Sequence, residues 1–437
     1  MAVVADVTTV ACNTSTGEQT ITISGLGVTP KAAIFICTSA TVADTNTAHV
    51  QYSYGFTDGT NHRVTTNRAK DANNTELADR RGATNEVVMI LNTGNNNVNG
   101  EANFVSFNAD NVIINWGNAP GSAFLLTVIL VGGADFSAFV GDFNQSITED
   151  STFAVTGVGF KPDVINAFGS YTSNPFGDAT AGTCRLCVGW ANRDTTDDSG
   201  DQNRCLAFKI HDGAAVGDPR AQYRNSLFTA ADADVGDVGL QLDPASTAFG
   251  SDGFTVTSRN GIFAGRIAYL AMSFGGVNDF AVWEFSTPTS SSFPHTDTDT
   301  GPGFKPQFVM YITHQFQVAN TRLTDLDAGV LGVSAFSANN ETCNVLMDED
   351  GPTSTNTACV TGTSAVLVPL DDQTAAFDAD FSSMEATGPS LTWNDNETDA
   401  ARLWIGFAIE EDPTGFVPYP DPRGLEGGAI AMSGGLQ

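Results

Sequence analysis

The sequence has few basic residues and no long hydrophobic run. Of its 437 residues, 19 are Lys or Arg (five are Lys) and 50 are Asp or Glu, which gives a formal net charge of −31. Such a surface repels phosphate backbones and anionic lipid, so we expect no binding to nucleic acid. The longest apolar stretch, residues 123–131, contains a Thr and is too short to span a membrane. We therefore expect no membrane insertion.

Signals for export and catalysis are also scarce. The N-terminus has neither a basic region nor an apolar segment of signal-peptide length, which predicts assembly in the cytoplasm. Neither G-x-S-x-G nor H-E-x-x-H occurs. No two of the five His are at metal-ligand spacing: His49, His62, His211, His295 and His314. The expectation is a protein without enzymatic activity and without a resident cofactor. A glycan-cleaving enzyme is the remaining catalytic alternative, because sequence cannot show whether two carboxylates face each other.

Cysteines are odd in number and unevenly spread, so they predict no repeating disulfide framework. The seven are Cys12, Cys37, Cys184, Cys187, Cys205, Cys343 and Cys359. Cys184 and Cys187 form a C-x-x-C, but they lie in a strand-like run without a second such pair. Buried thiols or a local disulfide are therefore favoured over zinc.

Acid-rich segments are the one candidate for metal binding. Calcium takes carboxylate and carbonyl oxygens, and two groups of Asp could supply them. They are Asp232, Asp234 and Asp237, and Asp194, Asp197, Asp198 and Asp201. Neither group has EF-hand spacing, so solvated acidic loops are the favoured interpretation.

Short apolar runs separated by turn residues predict an all-β fold. The chain has 44 Gly and 17 Pro, with Asn, Asp, Ser and Thr between the runs, and no helical periodicity beyond about two turns. The five Trp all lie in such runs, and four of them are considered as candidate binding or core residues. Trp116 and Trp393 precede the last strands of their copies and could stack on sugars, although core packing is favoured for them. Trp190 and Trp283 are expected in the core.

A G-x-G-x-x-P motif occurs three times, with its prolines 132 and then 144 residues apart. Its residues are Gly25, Gly27, Pro30, Gly157, Gly159, Pro162, Gly301, Gly303 and Pro306. An apolar strand follows each proline, so the motif is interpreted as a turn device in which glycines permit positive φ and proline starts a strand at an edge or bend. A dinucleotide-binding loop would need a third glycine and a following helix, and both are missing.

Further strands recur at matching distances from each proline. Opening strands are predicted at Val7, residues 139–143 and 280–285, and closing strands at residues 125–131, 268–274 and 403–409. Middle strands are predicted at residues 87–91, 205–210 and 343–347. A unit of roughly 135 residues is large enough for its own core. With about eight to ten short strands each, the units predict three tandem β-sandwich domains of jelly-roll type, at residues 1–134, 135–277 and 278–411, followed by a Pro/Gly-rich tail at 412–437.

The second copy resembles a repeat of structural proteins of tailed viruses. The resemblance rests on residues 156–165, the D-G-F turn at Asp252, Gly253 and Phe254, and the closing strand from Ile267. It covers copy two well, copy three in part and copy one only in its opening and closing strands. Copy one has Asn111 in place of the turn glycine, and copy three has no clear D-G-F. The resemblance implies concanavalin-like sandwiches carried on virions.

These observations predict a virion structural protein, in a tail or fibre or decorating the capsid. The Asp-rich, Lys-poor composition predicts a halophilic host, with ordinary solubility as the plainer explanation. Expected partners are other virion proteins and further copies of the chain, in a homo-oligomer for which a trimer is the typical fibre form. The three copies could form an elongated segment or a pseudo-threefold cluster. The alternative is a module that binds a glycan or receptor from the virion surface, through loops at one end of a sandwich.

Overall fold

The computed structural model describes residues 3–73, 77–95, 97–144, 148–172, 181–193, 202–210, 219–230, 238–242, 248–259, 265–275, 280–289, 292–316, 322–323, 328–349, 356–369, 375–395 and 401–411. Within these residues every helix or strand assigned is a strand, and the strands form six antiparallel sheets. This confirms the predicted all-β fold class. The described part of the chain has no helix with the length and hydrophobicity needed to cross a bilayer.

The strands fall into three consecutive groups, called units 1, 2 and 3 below. Unit 1 contains β1 (Val4–Ala11), β2 (Gly17–Thr22), β3 (Pro30–Thr38), β4 (Thr47–Ala48), β5 (Val50–Thr57), β6 (His62–Ala69), β7 (Ala78–Ala83), β8 (Glu86–Leu91), β9 (Val98–Asn108), β10 (Asn111–Asn118) and β11 (Leu125–Gly132). Unit 2 contains β12 (Ser137–Asn144), β13 (Ser151–Thr156), β14 (Val164–Thr172), β15 (Ala181–Gly182), β16 (Cys184–Asn192), β17 (Gln202–Ile210), β18 (Pro219–Arg224), β19 (Phe228–Ala230), β20 (Val238–Leu242), β21 (Phe249–Gly250), β22 (Gly253–Ser258) and β23 (Arg266–Ser273). Unit 3 contains β24 (Phe280–Ser286), β25 (His295–Thr298), β26 (Pro306–Thr313), β27 (Arg322–Leu323), β28 (Ala328–Ser337), β29 (Glu341–Glu349), β30 (Thr357–Gly362), β31 (Val366–Pro369), β32 (Ala375–Glu385), β33 (Gly388–Asp395) and β34 (Leu403–Glu410).

Each unit folds into a large and a small sheet with the same strand order. The large sheets run β1-β11-β3-β5-β6-β7, β12-β23-β14-β16-β17-β18 and β24-β34-β26-β28-β29-β30. The small sheets run β2-β10-β9-β8, β13-β22-β20-β19 and β25-β33-β32-β31. This repeated order is consistent with several β-sandwich domains. The domain boundaries at 134/135, 277/278 and 411/412 remain predictions, and the tail at 412–437 lies outside the described residues.

The large-sheet strands β3 and β11 are apolar along nearly their whole length because both faces of these sheets are covered. In β3 only Lys31 is exposed, and in β11 every residue but the first is buried. The small-sheet strand β10 instead alternates between buried and half-buried residues, as expected for a sheet with one face toward solvent. The burial pattern of these strands therefore distinguishes a sheet covered on both faces from a sheet with one face toward solvent.

The cores are arranged in two layers. Between its two sheets each unit has a core of its own, represented by Trp116 in unit 1, Phe254 in unit 2 and Trp404 in unit 3. The outer faces of all three large sheets pack together in a further cluster, called the central core, which includes Ile34 and Met310. The units are therefore joined by a shared hydrophobic core and not only by the chain that connects them.

The predicted opening and closing strands are present and pair with each other in every unit, as β1 with β11, β12 with β23 and β24 with β34. The middle strand predicted for copy one is present, but its equivalence to those of the other copies was wrong. Residues 87–91 lie in the small sheet as β8, whereas β17 and β29 lie in large sheets. Their counterpart is β6, which was missed because its buried residues include the polar Thr65, Thr66, Asn67 and Arg68.

Candidate functional site

The nine motif residues lie in three equivalent turns, each leading from a small sheet to a large sheet. The turns join β2 to β3, β13 to β14 and β25 to β26. Pro30 and Pro306 begin interior strands, each at a shift in register, so the proline falls at a bend and not at a sheet edge. Pro162 precedes β14 by two residues. Of the two positions predicted for the proline, a sheet edge or a bend, the structure shows the bend for Pro30 and Pro306.

Glycine is required in these turns for two different reasons. Five of the six motif glycines have positive φ, between 74° and 92°: Gly25, Gly27, Gly157, Gly159 and Gly303. Gly301 is needed for space, because a Cβ there would lie 1.9 Å from a ring carbon of Trp283. The third turn thus keeps the motif while using its first glycine to pack an indole ring.

An aspartate holds the turn closed in units 1 and 2. The carboxylate of Asp252 accepts hydrogen bonds from the backbone N–H groups of Gly157 at 3.1 Å and Gly159 at 2.7 Å. Asp110 accepts one from Gly27 in the same way. Asp252 is the first residue of the D-G-F turn, so the opening motif and the late turn form one structure. This link could not be predicted from the sequence, because the partners are separated by 93 residues or more in unit 2.

Unit 3 closes its turn with a different aspartate. Asp299 accepts hydrogen bonds from the N–H of Gly301 at 2.9 Å, Trp283 Nε1 at 2.8 Å and the Tyr311 hydroxyl at 2.7 Å. Burial raises the pKa of Asp299, and the three hydrogen bonds oppose that shift. The late turn of this unit contains Gly388, where a Cβ would lie 1.8 Å from the Asp299 carbonyl oxygen. Unit 3 therefore has the late-turn glycine without the D-G-F sequence.

A seventh strand in each large sheet comes from another unit. β15 of unit 2 pairs with β7 of unit 1, β27 of unit 3 with β18 of unit 2, and β4 of unit 1 with β30 of unit 3. Each donated strand lies between the third and the next long strand of its own unit. The exchange is therefore cyclic, and the three units form a closed ring with pseudo-threefold topology.

The donated strands of units 1 and 2 end in the same backbone conformation. His49 follows β4 with φ of 75°, and Thr183 follows β15 with φ of 73°. The N–H of His49 donates to the Thr357 carbonyl at 3.0 Å, and that of Thr183 donates to the Ala78 carbonyl at 2.8 Å. Non-glycine residues rarely adopt this region, so both sites hold strain that the surrounding contacts offset.

The junction of units 1 and 2 contains a buried ion cluster. The Asp142 side chain is 2% exposed and forms ion pairs with Arg63 of unit 1, at 2.6 Å, and with Arg266 of its own unit. Nearby, the rings of Tyr54 and Phe168 stack with centroids 4.2 Å apart. A charge network and an aromatic contact together specify this junction.

The junction of units 2 and 3 is more aromatic. Trp190 stacks on Phe407, and the Tyr223 hydroxyl donates to Glu284 at 2.6 Å. The ring of Tyr223 also lies 5.0 Å from that of His314. Burial, together with the charge of Arg402, lowers the pKa of His314 from 6.5 to about 3. His314 is therefore neutral at physiological pH.

The junction of units 3 and 1 is mainly polar. The hydroxyls of Thr38 and Thr361 are hydrogen-bonded at 2.6 Å, and Ser337 donates to Asp6 at 2.7 Å. The three junctions therefore share a strand-exchange topology but are stabilised by different side-chain contacts.

The four Trp considered above are all buried, with exposures of 0–6% for Trp116, Trp190, Trp283 and Trp393. This confirms core packing for Trp190 and Trp283. It also removes Trp116 and Trp393 as sugar-stacking platforms, because neither ring face reaches solvent. Among the described residues, the exposed large apolar side chains are Val42 and Val105.

The metal candidates are only partly covered by the described residues. The two Asp groups proposed for calcium, 194–201 and 232–237, lie outside them, as does His211. Over the positions that are described, no three His, Cys, Asp or Glu side chains are grouped to hold a metal ion. All seven cysteines are buried, and none forms a disulfide. Cys184 and Cys187 belong to cores on opposite faces of β16, so they can neither share a zinc ion nor form a local disulfide.

Comparison with known proteins places the chain in no family. No protein-family model matches it, and no curated protein matches it either.

Proposed function

We propose that the chain is a structural protein of a tailed virus, assembled in the host cytoplasm and carried on the virion in a tail, a fibre or the capsid surface. The observation that carries the proposal is the cyclic exchange of β4, β15 and β27 among the three large sheets. Both edges of each large sheet are used inside the ring, because β1, β12 and β24 at the opposite edges also contact neighbouring units. Each unit therefore depends on its neighbours to cover the edges of its large sheet.

A ring closed within one chain suits a symmetric assembly. Symmetric lattices and tails offer threefold positions, and a single chain with three equivalent units can occupy one without first forming a trimer. Of the two arrangements left open by the sequence, the ring corresponds to a pseudo-threefold cluster. It favours a compact ornament or a tail component over an extended fibre segment.

The distribution of charge supports a halophilic host. Several of the few basic residues are used in internal ion pairs: Arg63, Arg68, Arg193 and Arg266. The remaining surface is then more acidic than the composition suggests, and salt screens its repulsion. We expect the protein to unfold at a lower temperature in dilute buffer than in molar salt. A thermal midpoint that is the same in both would contradict this part of the proposal.

The role is tested by asking whether the protein travels with particles. Antibody against the purified chain should label intact virions in electron micrographs, and the chain should remain with them through a density gradient. Recovery in the soluble fraction alone would overturn the proposal. Selective binding of the purified chain to a glycan array would favour the receptor-binding alternative, and release of sugars from a polysaccharide would show an enzyme.

A further inference from the structure

A groove with aromatic walls lies at the junction of units 1 and 2. It has a volume of about 440 Å³ and is called the aromatic groove below. Phe107 and Phe160, both half-buried, present ring surface to it, and the buried Pro30, Phe136 and Val158 lie beneath them. Unit 1 contributes Pro30 and Phe107, and the motif turn of unit 2 contributes Val158 and Phe160. The groove therefore exists only where two units of the ring meet.

Contacts on both sides hold the groove in shape. Lys31 Nζ donates to the carbonyl of Phe136 at 2.7 Å, and Asp58 accepts a hydrogen bond from the N–H of Val140 at 2.8 Å. Phe107 packs over Gly59, where a Cβ would lie 3.3 Å from its ring. A groove fixed in this way can bind a segment without first ordering its own side chains.

The corresponding groove between units 3 and 1 has a different lining and is called the polar groove below. Asp6, Lys305, Gln307, Asn339 and Glu411 are among its residues, and no aromatic ring lines it. Lys305 and Glu411 form an ion pair there at 2.5 Å. The aromatic lining is therefore not a consequence of the repeat, since the equivalent groove between units 3 and 1 lacks it.

The same chain contains a segment whose chemistry fits the aromatic groove. Glu411, the last described residue, lies in the polar groove, and the following residues 417–423 read Val-Pro-Tyr-Pro-Asp-Pro-Arg. Alternating prolines favour the polyproline II conformation, and aromatic-lined grooves recognise such segments at low entropic cost. The one acidic and the one basic residue of the segment cancel, so the acidic body of a second copy does not repel it.

We propose that residues 417–423 of one copy dock in the aromatic groove of a second copy and thereby link copies of the chain. The described chain ends at Glu411 in the polar groove, whereas the aromatic groove lies at another junction. A contact between copies would therefore join two different surfaces. Such a heterologous contact builds rings or longer arrays. The inference goes beyond the proposed virion role and does not depend on it.

The test uses the full-length chain and two substitutions on opposite sides of the contact. Light scattering should give a mass above that of one chain and rising with concentration. Tyr419→Ser and Phe160→Gln should each lower that mass, whereas Val105→Gln, an exposed apolar position outside the groove, should leave it unchanged. A labelled peptide of residues 413–425 should bind the full-length chain, with affinity reduced at least about tenfold by Phe160→Gln.

The proposal is overturned by a monomeric mass at every concentration. It is also overturned by a multimer whose mass neither Tyr419→Ser nor Phe160→Gln changes, or by a peptide that binds Phe160→Gln as well as the unsubstituted chain. None of these results bears on whether the protein is found on virions, so failure of this inference and failure of the proposed function can be told apart.

Discussion

Trp190 of unit 2 and Phe407 of unit 3 stack face to face, with ring centroids 4.2 Å apart and planes within 5° of parallel. Both rings belong to the central core, to which all three units contribute. The contact is one part of a shared interior in which no unit is complete by itself. Stability of the three units is therefore expected to be coupled.

The first prediction concerns this coupling. Phe407→Ala should lower the free energy of unfolding by about 3–5 kcal/mol, because it leaves a cavity beside Trp190. Since the central core is shared, the whole chain should still unfold in a single transition at a lower denaturant concentration. Tryptophan fluorescence and far-UV circular dichroism should report coincident urea curves. Two separated transitions would show that unit 3 unfolds independently.

A second prediction addresses the buried ion cluster at Asp142. Asp142→Ala should destabilise the chain by about 1.5–3 kcal/mol, because the partly exposed Arg63 and Arg266 would lose the buried carboxylate that forms ion pairs with both. The matched control is Glu411→Ala, which removes the ion pair with Lys305, where both side chains are about half exposed. It should cost less than about 1 kcal/mol. Equal losses in urea unfolding would contradict a structural role for the cluster.

The sequence predicted the elements that carry a hydrophobic period or a turn signature. The opening and closing strands and the turns at Pro30, Pro162 and Pro306 are of this kind. β6 was missed because its buried residues include Thr, Asn and Arg side chains. Arg68 bonds to Asp79 and Asn67 accepts from the N–H of Arg185, and both contacts form only in the folded chain. A search for periodic apolar residues therefore does not detect such a strand.

The ring was beyond reach of the sequence for a different reason. β4, β15 and β27 have two residues each, too few for any period, and their partners lie in other units. The clamps formed by Asp110 and Asp252 similarly depend on contacts between residues far apart in the chain. The all-β class thus follows from local pattern, and the candidate site follows from tertiary contacts.

A third prediction tests the clamp on the motif turn. Asp252→Ala should lower the free energy of unfolding by about 1–2 kcal/mol, because the N–H groups of Gly157 and Gly159 lose their charged acceptor. Glu18→Ala serves as the control, since it removes an exposed carboxylate on a small-sheet strand of unit 1. Urea unfolding of the two variants in molar salt gives the comparison. A clamp with no structural role would make the two variants equally stable.

A fourth prediction concerns acid and His314. Its Nδ1 accepts a hydrogen bond from the N–H of Phe316 at 2.9 Å, and Nε2 has no partner among the described residues. Because folding lowers its pKa from 6.5 to about 3, the folded state favours the neutral ring. The resulting stability is fully present above pH 6.5 and is lost as the pH falls from there toward 3, by about 1.4 kcal/mol per pH unit.

The variant His314→Asn isolates this contribution. Its amide oxygen can accept from Phe316 but does not titrate, so the variant should be less stable at neutral pH and lose less stability on acidification. The difference between the two unfolding free energies should shrink from pH 7 to pH 4.5. A difference that stays constant over this range would show that His314 does not contribute to the pH dependence of stability.

The last prediction uses the closure of the ring. Gln307 Nε2 donates to the carbonyl of Val3 at 2.8 Å and to that of Glu410 at 2.7 Å, so one side chain bridges the first and last described strands. At the first junction, residues 133–136 connect β11 to β12. A circular permutant that joins Glu411 to Val3 through about two Gly or Ser residues reproduces a connection of that length. Its new ends lie between residues 134 and 135.

This permutant lacks 412–437, should remain soluble, and should have a circular dichroism spectrum and thermal midpoint close to those of the same chain truncated after Glu411. A second permutant opened within β3 should not fold, because that strand is buried on both faces of its sheet. If both permutants aggregate, the ends do not meet as the ring requires. If both fold, strand continuity matters less than the shared core, and the pseudo-threefold ring is held together mainly by apolar packing.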